Sequence, residues 1–237
     1  MRFVLRIVTT ITGVCIALGA VGVGQAAAVG LSTVHSTSFA GYQAYDPTPI
    51  TTFSGTLTMP TFTCPPTGSF NFSAEVSLNS PAGQDGGMNW NTSCYNGTSQ
   101  GSSASVYVLD AAAQLVGAEV GIAPGQSVQA AITPNTLTGR TTVTIKNLTT
   151  SANAKGSTPN LVSFNGVFAA LSDGNYSGTG MAIPSFTKAT FGKLLFNGAT
   201  LATLSPTRYD LYDGTTLQVA TTPISASGTF STVFKHT

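Results

Sequence analysis

Phe70-Asn71-Phe72-Ser73-Ala74-Glu75-Val76-Ser77-Leu78-Asn79 alternates apolar and polar residues without a break. Successive side chains of a β-strand point to opposite faces, so the even positions form one apolar face and Asn71, Ser73, Glu75, Ser77 and Asn79 share the other. This is the pattern of a strand buried on one side. Phe53-Ser-Gly-Thr-Leu57-Thr-Met59 repeats it with the apolar face on odd positions, stopped by Pro60.

Outward from these two segments, strands are predicted over 104–109, 115–120, 127–133, 141–148, 161–171, 190–196, 209–212, 217–221 and 228–234. Turn signals separate them: Pro124-Gly125, Pro134-Asn135, Asp173-Gly174, Asn197-Gly198 and Asp213-Gly214. Asp110 to Leu115 is the one helix candidate, and its three alanines fit a bend as readily; Ser151 to Pro159 reads as a surface loop. Many strands with short spacers predict an all-β antiparallel sandwich of about ten to twelve strands in one domain.

Charged residues are only 7% of the 237, and Thr, Ser, Gly and Asn carry the surface polarity. Disordered chains also favour small polar residues but lack regularly spaced Val, Ile, Leu and Phe, so this chain folds. The N-terminus combines Arg2 and Arg6, an apolar stretch from Ile7 to Val23 and the small residues Ala26 and Ala28. That is the form of a signal peptide over 1–28, cleaved after Ala28, which predicts a secreted, extracellular domain over 29–237. Its loss removes two of nine basic residues and leaves seven against eight acidic ones. A near-neutral chain is not built for nucleic acid, nor for a membrane once the signal is gone.

Cys15 leaves with the signal, and Cys64 and Cys94 remain as an even pair in an oxidising compartment, which predicts one disulfide. Cys64 precedes Pro65-Pro66 and Cys94 is expected in an Asn-rich turn, so the bridge reads as a staple between a loop and a strand end. Closing a loop of about 30 residues is worth roughly 3–4 kcal/mol.

Candidate chemistry is sparse. The only histidines, His35 and His236, sit near chain ends, which argues against a Ser-His-Asp triad, a Cys-His pair or a zinc site. No Gly-rich phosphate loop opens a helix, and Asp210 and Asp213 read as turn residues rather than calcium ligands. No cofactor or metal is expected. Glu75 and Glu119 are the only glutamates. Glu75 stands out because its strand face is otherwise uncharged.

Phe39-Ala-Gly-Tyr42, Leu57-Thr-Met-Pro60, Ile122 to Ile132, Thr142-Val-Thr-Ile-Lys-Asn147 and Ile183 to Asn197, in that order, together resemble the glutamic peptidases, or eqolisins, which are secreted enzymes on a concanavalin-like sandwich. Phe39-Ala-Gly-Tyr42 resembles that family's Trp-Ala-Gly-Tyr, and Leu57-Thr-Met-Pro60 the end of its Trp-x-Val-Pro strand. Ile122-Ala-Pro-Gly-Gln-Ser-Val-Gln-Ala-Ala-Ile132 resembles Pro-Gly-Asp-x-Ile, and Thr142-Val-Thr-Ile-Lys-Asn147 resembles Thr-Val-Thr-Ile-Glu-Asn. The segment from Ile183 to Asn197 is similar to Val-Pro-Phe-x-x-Phe-Gly with a short insertion.

The resemblance implies catalysis by a Glu that activates water and a Gln that holds the oxyanion, both on a concave sheet. Glu75-Val-Ser-Leu-Asn79 is similar to the family's Trp-Val-Gly-Ile-Asp, which brings the Gln position to Asn89, whose amide is shorter by about 1.5 Å. Oxyanion donors work at about 2.7–3.1 Å, so that shift weakens the site. The family's Glu-Trp-Ile-Val-Glu matches Gly166-Val-Phe-Ala-Ala170, and the general base, assigned to position 166, is absent.

The leading expectation is therefore a non-catalytic secreted relative with a binding or structural role toward an extracellular protein or glycan, and a monomer. Asn79 and Trp90 are expected to line the cleft beside Glu75 and Asn89. The alternative is an acid-acting endopeptidase with Glu75 as relocated base. A further alternative is a glycan-binding module using Tyr42, Tyr45, Trp90 and Tyr95.

Overall fold

The computed structural model describes residues 33–172 and 183–235. The expected signal peptide over 1–28, the expected turn at Asp173-Gly174 and His236 lie outside them. In chain order the strands are β1 (Thr33–Ser36), β2 (Phe39–Ile50), β3 (Phe53–Thr58), β4 (Phe62–Thr63), β5 (Ser69–Asn79) and β6 (Asp85–Tyr95). They continue as β7 (Thr98–Leu109), β8 (Leu115–Gly121), β9 (Ser127–Asn135), β10 (Arg140–Asn147), β11 (Asn153–Thr158) and β12 (Phe164–Ser172). Last come β13 (Ser185–Phe186), β14 (Lys188–Phe196), β15 (Ala199–Thr200), β16 (Thr207–Asp213), β17 (Thr216–Thr221) and β18 (Phe230–Phe234), with one 3₁₀ turn at Leu201–Leu204.

One hydrogen-bonded path runs β11-β10-β9-β3-β14-β18-β17-β16-β2-β12-β5-β6-β7-β8. It folds over on itself, so that β8 lies against β11 and β10, β7 against β10 and β9, and β2 against β17 and β18. The back layer is thus β11-β10-β9-β3-β14-β18, the front layer is β2-β12-β5-β6-β7-β8, and β17 and β16 turn the corner. The class is the all-β sandwich expected, with more strands than the ten to twelve anticipated.

Between the layers sits one apolar core. Phe72 packs edge-on against Trp90 at 5.2 Å, Phe191 stacks on Phe230 at 4.4 Å, and Tyr42 meets Phe230 at 4.8 Å while donating its hydroxyl to the Thr222 carbonyl. Burying side chains of this size contributes about 1.5–3 kcal/mol each. Cys64 and Cys94 form the predicted disulfide, tying the loop before β5 to the end of β6. Cys94 is a buried strand residue rather than part of a turn.

The structure corrects three local readings. Ser151 to Pro159 is not a free loop, because Asn153–Thr158 forms β11. Its inward residues are Ala154, Gly156 and Thr158, small enough for β8 to approach: a Cβ on Gly156 would stand 2.8 Å from the Gly117 carbonyl oxygen and from Val116 Cγ1. Neither β2 nor β6 was foreseen as a strand; β6 carries Gly86, Gly87, Asn89 and Asn91, residue types that strands disfavour. Asp110 to Leu115 is a turn, not a helix: the buried Asp110 carboxylate accepts from Ala112 N (2.9 Å), Gln114 N (3.0 Å), Thr158 Oγ1 (2.6 Å) and Asn160 Nδ2 (2.6 Å). That carboxylate clasps the β7–β8 turn to the end of β11.

Two outcomes follow. Gly156→Val forces β8 away from β11 and is expected to lower the unfolding midpoint in urea, an overpacking cost of about 1–3 kcal/mol. The hydrogen bonds from Thr158 and Asn160 push the Asp110 carboxyl down to about 2. Its folded pKa is depressed, so its stabilisation is complete above the ordinary Asp range and fades as pH falls toward about 2. Thermal melts of wild type and Asp110→Asn should therefore differ at neutral pH and converge near pH 2; a constant gap contradicts the clasp.

Candidate functional site

β5 and β6 pair in one unbroken antiparallel register from Ser69↔Tyr95 to Asn79↔Asp85. Even residues of both strands face the core and odd residues face outward, which puts Glu75 directly opposite Asn89 on the outer face. The register extends sideways, with Ala170 of β12 opposite Glu75, Ser105 of β7 opposite Asn89, and Glu119 of β8 opposite Ser105. One line across the front layer therefore reads Ala170, Glu75, Asn89, Ser105, Glu119. Opposed residues of neighbouring strands hold their Cβ atoms about 4.5–5.5 Å apart, close enough for Glu75 and Asn89 to act on one water or one carbonyl.

Ser105 Oγ donates to Asn89 Oδ1 at 2.9 Å. With its oxygen turned toward β7, the carboxamide presents Nδ2 to the β5 side, where Glu75 stands. Neither that Nδ2 nor the Glu75 carboxylate has a hydrogen-bond partner among the described residues. Gly87, opposite Ser77, keeps the floor between Asn89 and Asp85 open; a Cβ there would meet the Val76 carbonyl oxygen at 2.0 Å, and its φ is +152°. Across that gap lies Asp85, held by the Gly86 amide at 2.7 Å.

Glu75 is half-buried, and its carboxyl is raised above the ordinary Glu range, first by burial and then by the negative charge of Asp85. A carboxylic acid on this face thus keeps its proton at a pH where a solvated one has lost it. Glu119 shares the line but stands three strands away, about 14 Å at ordinary strand spacing, too far to form a paired-carboxylate hydrolytic site with Glu75.

The β12 side is apolar. Phe39 and Phe168 meet edge-on at 4.8 Å and Phe39 packs on Tyr209 at 4.9 Å. Phe39 pairs opposite Ser172 and Phe168 opposite Gln43, so Ala170 and its partner Gly41 lie on the line between the two rings, and Ala170 is fully buried. No acidic residue occurs anywhere in β12. Gly166 sits four residues along from Ala170, about 13 Å away, with Asn79 Oδ1 only 2.2 Å from where a Cβ would go. A carboxylate introduced at 166 would have to displace Asn79 and would still be far from Asn89. Position 170, at the other end of the same five-residue match, shares the line with Glu75 and Asn89.

Trp90 is not a cleft residue. Its neighbour Asn89 faces outward, so Trp90 faces inward; it is fully buried against Phe72, and its Nε1 has no partner among the described residues. Tyr42 is likewise core. Tyr45 and Tyr95 are exposed, but Tyr45 lies opposite Gly166 and Tyr95 opposite Ser69, toward opposite ends of the face, so the four aromatics form no shared platform. Asn79 is exposed two positions beyond Ser77, opposite Asp85. Asp210 is buried and accepts the Thr221 amide at 2.7 Å, and no cluster of three metal-ligating side chains occurs among the described residues. His35 stacks on Tyr212 at 3.8 Å, away from this face.

Beside the Glu75 line a groove of about 570 Å³ opens, lined on the outer face by Asn71, Ser73, Asn91, Ser93 and Ser103, with Gln100 at its end. Sequence reading marked Glu75 and Asn89 but missed Ser105 and Ala170, because both acquire meaning only from the cross-strand register.

A family profile described as Peptidase A4 family matches residues 37–233. Among solved structures the chain resembles Scytalido-glutamic peptidase bound to a peptide-based transition state analogue, at 14% identity and a TM-score of 0.56 over 84% of this chain and 99% of that one. It also resembles SCP-B, a member of the eqolisin family in complex with the tripeptide Ala-Ile-His, at 16% identity and a TM-score of 0.54 over 84% and 99%. At these identities the likeness shows the fold. None of the curated proteins matches the chain.

One titration tests the geometry. Followed by carboxyl NMR, Glu75 should titrate above the ordinary Glu range, and Asp85→Asn should move it down without restoring the ordinary value, since burial is the larger cause. An unchanged Glu75 in Asp85→Asn contradicts the placement of the two carboxylates.

Proposed function

We propose, from the premise that this chain belongs to the Peptidase A4 family, that its front face binds extended polypeptide outside the cell without the family's carboxylate chemistry. The observation that carries this reading is the cross-strand line itself. Where a carboxylate two strands from Asn89 would stand there is Ala170, buried and flanked by Phe39 and Phe168. The position is filled by hydrophobic packing rather than left as an empty pocket. The adjacent groove has the donors and acceptors a peptide backbone needs, and the family members of like fold were captured with peptides or a peptide-based analogue.

A second reading is favoured by Glu75 alone. The carboxylate stands one strand nearer the carboxamide than position 170 does, directly opposite it in the β5–β6 register. Ser105 aims the Asn89 Nδ2 toward the same space. In that reading Glu75 takes the proton of an attacking water and Asn89 holds the oxyanion. The active form of the base is the carboxylate, so the rate would climb with pH through the raised Glu75 pKa rather than peak in strong acid.

Denatured casein titrated against the domain over 29–237, from about pH 2 to pH 7, with fragments followed by mass spectrometry, separates them. Binding without cleavage, weakened in Asn91→Ala, is the predicted result. Cleavage that disappears in Glu75→Gln overturns the first reading in favour of the second, and absence of binding overturns both.

A further inference from the structure

The nearly balanced charge of the chain conceals a segregation. The outer face of β11-β10-β9-β3-β14 carries Arg140, Lys146, Lys155, Lys188 and Lys193, all exposed. None of the described acidic residues lies on it: Glu75, Asp85 and Glu119 are on the front layer, Asp46 on β2, Asp110 in the β7–β8 turn, and Asp210 and Asp213 on β16. The five cations have no carboxylate partner among the described residues.

Two of these cations surround a depression. Lys155 pairs opposite Thr144, and Lys146 opposite both Asn153 and Gln129, so the two lysines are diagonal neighbours roughly 7–8 Å apart. They border a hollow of about 450 Å³ lined also by Gln129, Thr144 and Asn153, with Ala131 as its low floor. Like charges at this spacing repel, and an anion between them relieves that repulsion.

We infer that this back face binds an anionic polysaccharide, with a sulfate or carboxylate group of the chain held between Lys146 and Lys155. Interleaved carboxamides and hydroxyls suit a ligand rich in hydroxyl groups. No exposed aromatic ring lies on the face, so it offers no platform for stacking nucleobases. Arg140 lies six residues from Lys146 along β10, about 20 Å, and Lys188 and Lys193 lie on β14, three strands away. The face therefore spans several sugar units. Docking here leaves the front groove turned away from the polymer. The inference rests on the back layer alone and stands whether or not the front face binds peptide.

Dextran sulfate is the probe, titrated by calorimetry into the intact domain beside neutral dextran of equal length and a DNA duplex of equal charge. Dextran sulfate should bind with an affinity that falls as salt rises, and neutral dextran should not. The double variant K146E/K155E, checked by its thermal melt, should lose about twenty-fivefold or more, from roughly fivefold per lysine. Equal binding of neutral dextran, an undiminished affinity in a folded double variant, or DNA binding as tight as dextran sulfate would each overturn the inference.

Discussion

The unbroken pairing of β5 with β6 is the constraint on which the rest of the molecule depends. Eleven opposed pairs run without a bulge, and the two-residue period of a strand turns that register into an assignment of faces. Phe72, Trp90 and Cys94 go inward to the core and the disulfide; Glu75, Asn89 and Asp85 go outward. A slip of one residue would bury a carboxylate and expose the one tryptophan. The Cys64–Cys94 bridge holds one end of this pairing, and the tight Ser80–Gln84 turn, closed by the Ser80 amide on the Gln84 carbonyl at 3.0 Å, holds the other.

Much of the fold was legible because β5, β3 and β10 write their burial as strict alternation. Among the longer strands β2, β6 and β11 were not, and β2 breaks its alternation with Asp46, Pro47 and Pro49. β6 spends its outer face on Asn and Gly and its inner face on Gly86, Met88, Trp90, Thr92 and Cys94, so neither face looks like a run of Val, Ile or Leu. β11 has no large apolar residue at all, and the reason lies in β8, which approaches so closely at Gly156 that a Cβ there would meet the Gly117 carbonyl oxygen and Val116. Smallness caused by a neighbour cannot be told from the smallness of a loop by looking along the chain.

The site was half legible for a related reason. Glu75 announced itself as a lone charge on a polar face, and the family resemblance pointed to Asn89. Assigning Trp90 to the cleft contradicted that choice, since adjacent strand residues cannot share a face, and the structure places it in the core. The weight of Ala170 over Gly166, the aiming of Asn89 by Ser105 and the cationic back face all arise between strands. Composition recorded the charges as balanced; only the layers show that they are separated.

The chain keeps the fold of the solved glutamic peptidases, and one register line across its front layer holds a buried Ala170, a half-buried Glu75 and Asn89. The most direct test is the backbone amide NMR spectrum of the domain titrated with an unfolded peptide. The account predicts that shifts concentrate in β5, β6 and β7 around Ser73, Asn91 and Ser103. Shifts confined to β9, β10 and β11, or a spectrum that does not move at saturating peptide, would contradict it.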